Sequence, residues 1–303
     1  MIFSVVVATY NHPGILGKCL KKLVSLKFPK DEYEIILVDN NPGNPKKIPL
    51  PDNKGMPRLK TVFEGTSGLA GSRNKGIAES IGDFVAFIDD DALADENYLS
   101  VAQKTIVNHL HVSVFGGPIY PFYTSKKPPW FKDEYEARFW GDNERILKKG
   151  ETFSGSNMIF RKDLFRKFGN FRTSLGMKGE ELSLGEETEL FSRLNKKGIQ
   201  FFYIPEMKVS HLVSAYKMTV FYQLKRAYAS GSSQFVYLED NPARAVLSFF
   251  KYTGGLIVFS IRASVRIFSH NNFKQWLVEE LSPVFYAAGY IIRSVGIKIR
   301  IKR

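Results

Sequence analysis

The chain has 303 residues, of which 44% are hydrophobic and 24% charged. That is enough to build a large packed core, and it excludes disordered, collagen-like and disulfide-framework proteins. Lys and Arg total 43 against 30 Asp and Glu, a formal net charge of +13 that calls for an anionic partner.

The excess is uneven. Between Asn241 and Arg303 ten basic residues face only Glu279 and Glu280, so eight of the thirteen net charges belong to this last stretch. The single cysteine, Cys19, rules out an intramolecular disulfide and suits a reducing compartment. No secretory-signal pattern surrounds the first apolar run, and charges close each late apolar run before about 18 residues.

Ile2–Ala8 has the pattern of a strand buried on both faces, ended by Thr9-Tyr10-Asn11-His12-Pro13-Gly14. Ile15, Leu16, Cys19, Leu20, Leu23 and Val24 then recur at helical spacing. Glu34–Val38 reads as a second strand ending at Asp39-Asn40-Asn41-Pro42-Gly43. A short strand near Lys60–Phe63 precedes a helix beginning around Ser67–Ala70. Phe84–Ile88 is another buried strand, stopping at Asp89-Asp90-Asp91, with a helix expected from about Asp95 as its N-cap.

This alternation predicts an α/β fold, a mostly parallel sheet with helices on both faces. In such sheets ligands bind beyond the carboxyl ends of the strands, where Thr9, Asp39 and Asp89–Asp91 stand. After Val112–Gly117, residues 118–150 are irregular and rich in Pro and aromatics, as at Pro128-Pro129-Trp130-Phe131. A strand around Asn157–Phe160, a helix from about Glu186 to Lys197 and a strand at Phe201–Ile204 follow. From about residue 218 the pattern is wholly helical.

Three consecutive carboxylates repel one another unless a cation sits among them. A hard divalent ion, Mg²⁺ or Mn²⁺, is the natural partner, and it would in turn bind a diphosphate. An isolated Asp triplet reads as a solvated turn, but one at the end of a buried strand favours the metal. Asp39 fits either an Asx-turn or an acceptor for the imide N–H of a uracil-type base. Arg73 is either a surface cation or a group meeting phosphate or ribose. Glu186-Glu187 suits a helix N-terminus, or supplies a general base aimed into a cleft. His211 is a structural imidazole or a metal ligand. No dinucleotide-binding glycine fingerprint, P-loop or nucleophile elbow is present.

Seven segments in order resemble the family-2 glycosyltransferases of the GT-A (Rossmann-like) fold. They are VVVATYN at Val5–Asn11, IILVDN at Ile35–Asn40, GLAGSRNKG at Gly68–Gly76, FIDDD within Phe84–Asp91, GSNMIFR at Gly155–Arg161, GEETELFSRL at Gly185–Leu194, and Phe202 through Pro205 to His211. The resemblance spans about residues 1–240. It implies an inverting, metal-dependent sugar transfer from a nucleoside diphosphate sugar, UDP-linked by preference, to a glycan or lipid-linked acceptor in cell-surface polysaccharide assembly.

On that resemblance Thr9, Asp39, Arg73, Asp89 and Asp90 attend the nucleotide. Asp89, Asp91 and His211 hold the metal, and Glu187 is the base. The family usually has Asp where Glu187 stands, so Glu186 stays open as an alternative. Trp130, Ser156 and Asn157 match acceptor-side regions. The implied organisation is a catalytic domain over 1–240, with a nucleotide half (1–117) and an acceptor half (118–240), followed by a basic, apolar helical extension (241–303).

On a helical projection of residues 243–268, Arg244, Lys251, Arg262 and Arg266 share one arc and apolar residues fill much of the rest. Such a helix fits a membrane interface, with the enzyme at the inner face of the plasma membrane, and Gly254-Gly255 could interrupt it. It equally fits C-terminal helices packed on each other or in a homo-oligomer, with Phe273, Trp276, Leu277 and Leu281 as the facing stripe. A sugar nucleotidyltransferase is the competing enzyme class, but a Gly-rich loop should then follow the first strand. A nucleic-acid partner is disfavoured, because no binding motif is present and the charge lies on an apolar tail.

Overall fold

The computed structural model describes residues 1–11, 13–41, 55–65, 68–238, 241–270 and 272–302. His12, Pro42-Gly43 and Ser67, expected at turns and at a helix start, lie outside these residues. Strand β1 (Phe3–Thr9) leads through α1 (Pro13–Val24) to β2 (Tyr33–Asp39), then to β3 (Arg58–Phe63), α2 (Gly68–Glu79) and β4 (Phe84–Phe87). Next come β5 (Ala92–Ala94), α3 (Tyr98–Asn108), β6 (Val114–Gly116), β7 (Ile119–Tyr123), β8 (Arg145–Ile146), β9 (Met158–Arg161) and α4 (Asp163–Phe168). The remainder is α5 (Glu186–Asn195), β10 (Phe202–Tyr203), β11 (Val209–Val213), α6 (Val220–Leu238), α7 (Pro242–Val265) and α8 (Phe273–Ser294).

Among the described residues the main sheet has eight strands in the order β3-β2-β1-β4-β9-β6-β10-β8. β1 runs parallel to both β2 and β4, and its register with β2 sets Thr9 opposite Asp39. β9 is antiparallel to β4 and β6, so the sheet is mixed and mainly parallel. Period-two alternation divides the core. Val5, Val7, Ile35 and Leu37 cluster with Leu16, Leu20 and Leu23 of α1 and Tyr98 and Leu99 of α3. Val6, Ile36, Val38 and Phe87 cluster with Ala70 and Ile77 of α2 and Leu190 and Phe191 of α5. Burial on both faces is why these strands read as continuous apolar runs.

Two expectations about helices need correction. Asp95 is not an N-cap: α3 starts at Tyr98 behind Asn97. The Asp95 amide instead donates to the Lys208 carbonyl at 3.0 Å, because β5 is paired antiparallel with β11. Strand pairing claimed the residues that local propensity gave to the helix. Gly254-Gly255 does not interrupt α7, which runs unbroken for 24 residues.

By internal contacts the chain forms two compact units. One comprises Met1–Phe122, Asp133–Thr173 and Glu187–Leu212; the other comprises Tyr123–Lys132, Ser174–Glu186 and Val213–Arg303. In the second unit α6 and α8 touch backbone to backbone. A Cβ on Gly231 would lie 1.9 Å from the Tyr286 carbonyl oxygen, and one on Gly289 would lie 2.1 Å from that of Tyr228. Helix α7 lies along α8, where the Trp276 indole donates to Ala263 O at 3.0 Å and the Tyr290 hydroxyl to Ala245 O at 2.8 Å.

The expected facing stripe holds in part. Trp276 is buried and Leu277 and Leu281 are half-buried, but Phe273 is exposed and stacks on the outside of Trp276. By length and composition α7 is long and apolar enough to cross a membrane, although Lys251 stands inside it.

Candidate active site

Strand order reverses at β1, whose chain successors lie to one side and β4 to the other; this makes the crevice beyond their carboxyl ends the expected site. The Asp triplet leaves β4 in a tight turn, with the Ala92 amide donating to Asp89 O at 3.0 Å. Asp90 turns inward, where it accepts the Thr9 hydroxyl at 2.6 Å and is buried. Asp89 and Asp91 face His211, which β11 delivers through its pairing with β5. His211 Nε2 lies 3.0 Å from Asp91 Oδ1 and 3.9 Å from Asp89 Oδ2.

One ligand atom from each of Asp89, Asp91 and His211 lies within 4.8 Å of the others. The two carboxylates are hard donors that suit Mn²⁺ or Mg²⁺, and the imidazole favours Mn²⁺ of the two. Desolvation pushes the Asp89 carboxyl above its ordinary range; Arg73 and His211 oppose this, while Asp91 and Glu187 add to it. A cation at this point therefore competes with protons. Behind the turn, the buried Cys19 thiol donates to Asp89 O at 3.5 Å. Burial, with the three aspartates, holds that thiol well above its usual pKa, so it is chemically quiet.

Arg73, on α2, is buried. Its Nη2 donates to Asp89 Oδ1 and its Nη1 to Glu187 Oε1, each at 3.2 Å, and its guanidinium stands 5.5 Å from the Phe171 ring centre. A buried guanidinium needs such partners, since an uncompensated charge in the interior is costly. Asn74 fixes Phe171 in return: its amide donates to Phe171 O and its carbonyl accepts Phe171 N, both at 2.9 Å. Gly155 roofs the pair, where a Cβ would fall 2.1 Å from Glu187 Oε1 and 2.3 Å from Arg73 Nη2.

Asp39 ends β2 and is buried. Its Oδ1 accepts the Asn41 amide at 3.0 Å and Asn41 Nδ2 at 2.5 Å, while Asn11 N donates to Asn41 Oδ1 at 3.1 Å. The expected Asx-turn is thus present and occupies one oxygen. The other, Oδ2, is buried and has no hydrogen-bond partner among the described residues. A buried carboxylate oxygen left open beside a ligand crevice invites a donor.

The structure therefore gathers Arg73, Asp89, Asp91, Glu187 and His211 into one cluster, with Thr9 and Asp90 supporting it from behind. The other expected site residues make the following contacts. Ser156 is buried with its hydroxyl 3.2 Å from that of Ser154. Asn157 is buried and donates to Pro118 O at 2.9 Å and Met207 O at 2.6 Å, stapling strand connections together. Trp130 belongs to the second unit and is buried edge-on against Phe131. Glu186 is buried in the second unit, where a Cβ on Gly176 would lie 3.0 Å from its Cδ. Sequence reasoning missed the Arg73–Glu187 pair and the need for Gly155, since no local signal links residues 114 positions apart.

Residues 4–169, more than half of the chain, match the profile of the family described as Glycosyl transferase family 2. The chain belongs to this family. It is a glycosyltransferase with an α/β GT-A-like fold, a mixed, mainly parallel sheet and C-terminal helices. The matched span contains Asp39, Arg73 and the Asp triplet but ends before Glu187 and His211, which α5 and β11 bring to the cluster.

The chain is 28% identical over 175 residues to a glucosyl-dolichyl phosphate glucuronosyltransferase of Haloferax volcanii, spanning 55% of each protein. It therefore covers about half the length of that relative. It is 27% identical over 236 residues to the succinoglycan biosynthesis protein ExoM of Rhizobium meliloti, covering 75% of this chain and 72% of that one. Among solved structures, the mannosyltransferase PcManGT of Pyrobaculum calidifontis, in complex with GDP-Man and Mn²⁺, superposes with a TM-score of 0.59 at 15% identity. That match covers 95% of this chain and 86% of that one.

Gly155 gives a direct check on the cluster. Gly155→Ala displaces the Glu187 carboxylate and the Arg73 guanidinium from their present positions, and a misplacement near 1 Å can cost about a hundredfold in turnover. The variant should keep a cooperative thermal unfolding transition while losing activity by about that factor. Wild-type turnover would show that the pair has no part in the reaction.

Proposed function

We propose that this glycosyltransferase moves a sugar from a uridine diphosphate sugar to a hydroxyl of a glycan or lipid-linked acceptor, with inversion, at the inner face of the plasma membrane in surface polysaccharide assembly. The observation that carries this reading is the cluster at the end of β4, where Asp89, Asp91 and His211 adjoin the Arg73–Glu187 pair. Asp89, Asp91 and His211 are the residues that would hold Mn²⁺ or Mg²⁺. When bound, the ion supplies Lewis-acid stabilisation of the negative charge on the diphosphate.

The remaining chemistry belongs to the protein. Asp39 Oδ2 accepts one N–H from the base; with Oδ1 already committed to Asn41, a single imide donor such as uracil N3–H is the match. Glu187 takes the proton from the acceptor hydroxyl as its oxygen bonds to the anomeric carbon and the bond to the diphosphate oxygen breaks. One displacement inverts that carbon. Arg73 orients the Glu187 carboxylate and ties it to the metal-binding loop through Asp89.

The acceptor class draws on the dolichyl phosphate and succinoglycan chemistry named for the two relatives. Membrane association draws on the exposed apolar side chains of α7 together with the cations of residues 241–303.

Calorimetry with UDP in Mn²⁺ and in EDTA tests the donor site. Affinity should fall by about tenfold or more without metal. Equal affinity in both would remove the metal from the reading. A donor-hydrolysis screen over UDP-, GDP- and dTDP-sugars then tests the base, and turnover of a GDP-sugar alone would overturn the role given to Asp39.

A further inference from the structure

Helix α7 presents three distinct sectors when its residues are placed at about 100° per residue with Lys251 at zero. Tyr252, Ala245 and Ala263, at about 100–120°, face α8. Arg244, Lys251, Arg262 and Arg266 lie at about 0–60°. Val246, Ile257, Phe250, Ile261, Leu247, Val265 and Val258 fill about 220–340°, and all seven are exposed. Ser260 and Thr253 border that arc on its far side, at about 180–200°. In the turn after α7, Phe268 is 94% exposed.

We infer that α7 lies in the plane of an anionic lipid surface, with its apolar arc and Phe268 immersed and Lys251 and Arg244 at headgroup level, and does not cross the bilayer. The inference rests on the membrane association proposed above and specifies its surface and orientation. An apolar arc with polar residues on both edges is the pattern of an interfacial helix; a spanning helix is apolar all round.

Crossing is opposed by what covers the other side. α8 brings Glu280, buried between Arg262 and Arg266 at 2.9 and 3.2 Å, and Glu279, paired with Lys132 at 2.6 Å. Taking α7 across the bilayer would carry these charges and Lys251 into hydrocarbon. A second copy of the chain is a poor occupant of the arc, because α7 has cations and no acid along its length. Anionic headgroups complement that edge; a copy of itself repels it.

Flotation of the full chain with phosphatidylcholine vesicles, with and without phosphatidylglycerol, tests this. The protein should float with the anionic vesicles, weaken in high salt, and be released by alkaline carbonate. Combined Phe250→Asp, Ile257→Asp and Ile261→Asp should cut vesicle binding about tenfold or more while donor hydrolysis stays at the wild-type level. A fluorophore on Phe268→Cys should shift to the blue on binding, and this single exposed change checks the inference should the triple variant fail to fold.

Carbonate resistance would establish a spanning helix and overturn the inference. Undiminished flotation of the folded triple variant, an unshifted fluorophore, or a triple variant that only converts a dimer to a monomer would overturn it too. Failure of the wild-type protein to float with either vesicle would remove the membrane reading altogether and leave the sugar-transfer reading standing.

Discussion

Asp91→Ala should leave a folded protein whose sugar transfer falls by about a thousandfold or more, the scale expected when Lewis-acid charge stabilisation worth several kcal/mol is lost. The argument starts from the backbone. Asp91 O accepts Leu212 N at 2.9 Å, so β11 pairing holds the residue whatever its side chain. The half-buried carboxylate contributes little to packing and contacts His211 Nε2 at 3.0 Å. Its removal takes one of three donors from the cation site and leaves the core alone.

Asp90→Asn separates this role from mere acidity. Asp90 is buried and accepts the Thr9 hydroxyl at 2.6 Å. That variant should lose stability, about 1–3 kcal/mol for a disturbed buried polar pair, yet keep Mn²⁺-dependent UDP binding. Calorimetry in Mn²⁺ and EDTA, together with thermal unfolding, reads both. If Asp91→Ala retains metal-dependent affinity, or Asp90→Asn loses it, the ligand assignment within the triplet is wrong.

The first half of the fold was legible because its strands are buried on both faces and carry unbroken apolar runs, as in Val5–Val7 and Ile35–Val38. Strand ends were legible for the complementary reason: Asp39 and Asp89–Asp91 could not continue into a dry sheet. Short edge elements were not. β5 has three residues and exists only because β11 pairs with it, so Asp95 looked like a helix cap when its amide was committed to Lys208.

At the site, the acids, Arg73 and His211 could be named from residue type and order, but their geometry could not. The Arg73–Glu187 bond joins α2 to α5, and Gly155 matters only because that bond passes where its Cβ would be. Ser156 and Asn157 are a different case. They sit in a recognisable segment and both are buried: Asn157 donates to Pro118 O and Met207 O, while the Ser156 hydroxyl lies beside that of Ser154. Polar residue types alone do not reveal whether a side chain faces a ligand or a carbonyl.

Glu187→Gln should bind UDP and Mn²⁺ about as tightly as the wild type while turnover drops about 10²- to 10⁴-fold, the range expected for loss of a general base. The exchange is isosteric. The Gln carbonyl oxygen can still accept from Arg73 Nη1, so the 3.2 Å contact and the roof at Gly155 persist. What disappears is the ability to take a proton from the acceptor hydroxyl.

The pH profile discriminates between loss of a base and loss of a scaffold. The acid limb of kcat/KM should flatten in Glu187→Gln, whereas a scaffold defect lowers the whole curve without changing its shape. Glu186→Gln is the matched control. Glu186 is buried against the Gly176 segment, and its variant should keep turnover even if stability falls. The extra methylene of Glu187 makes Glu187→Asp informative as well. A shortened side chain loses contact with Arg73 but keeps its basicity, so turnover should fall by less than in Glu187→Gln while the acid limb remains. Full activity in Glu187→Gln, with inactivity in Glu186→Gln, would transfer the base to the neighbouring residue and leave Arg73 holding a carboxylate that takes no proton.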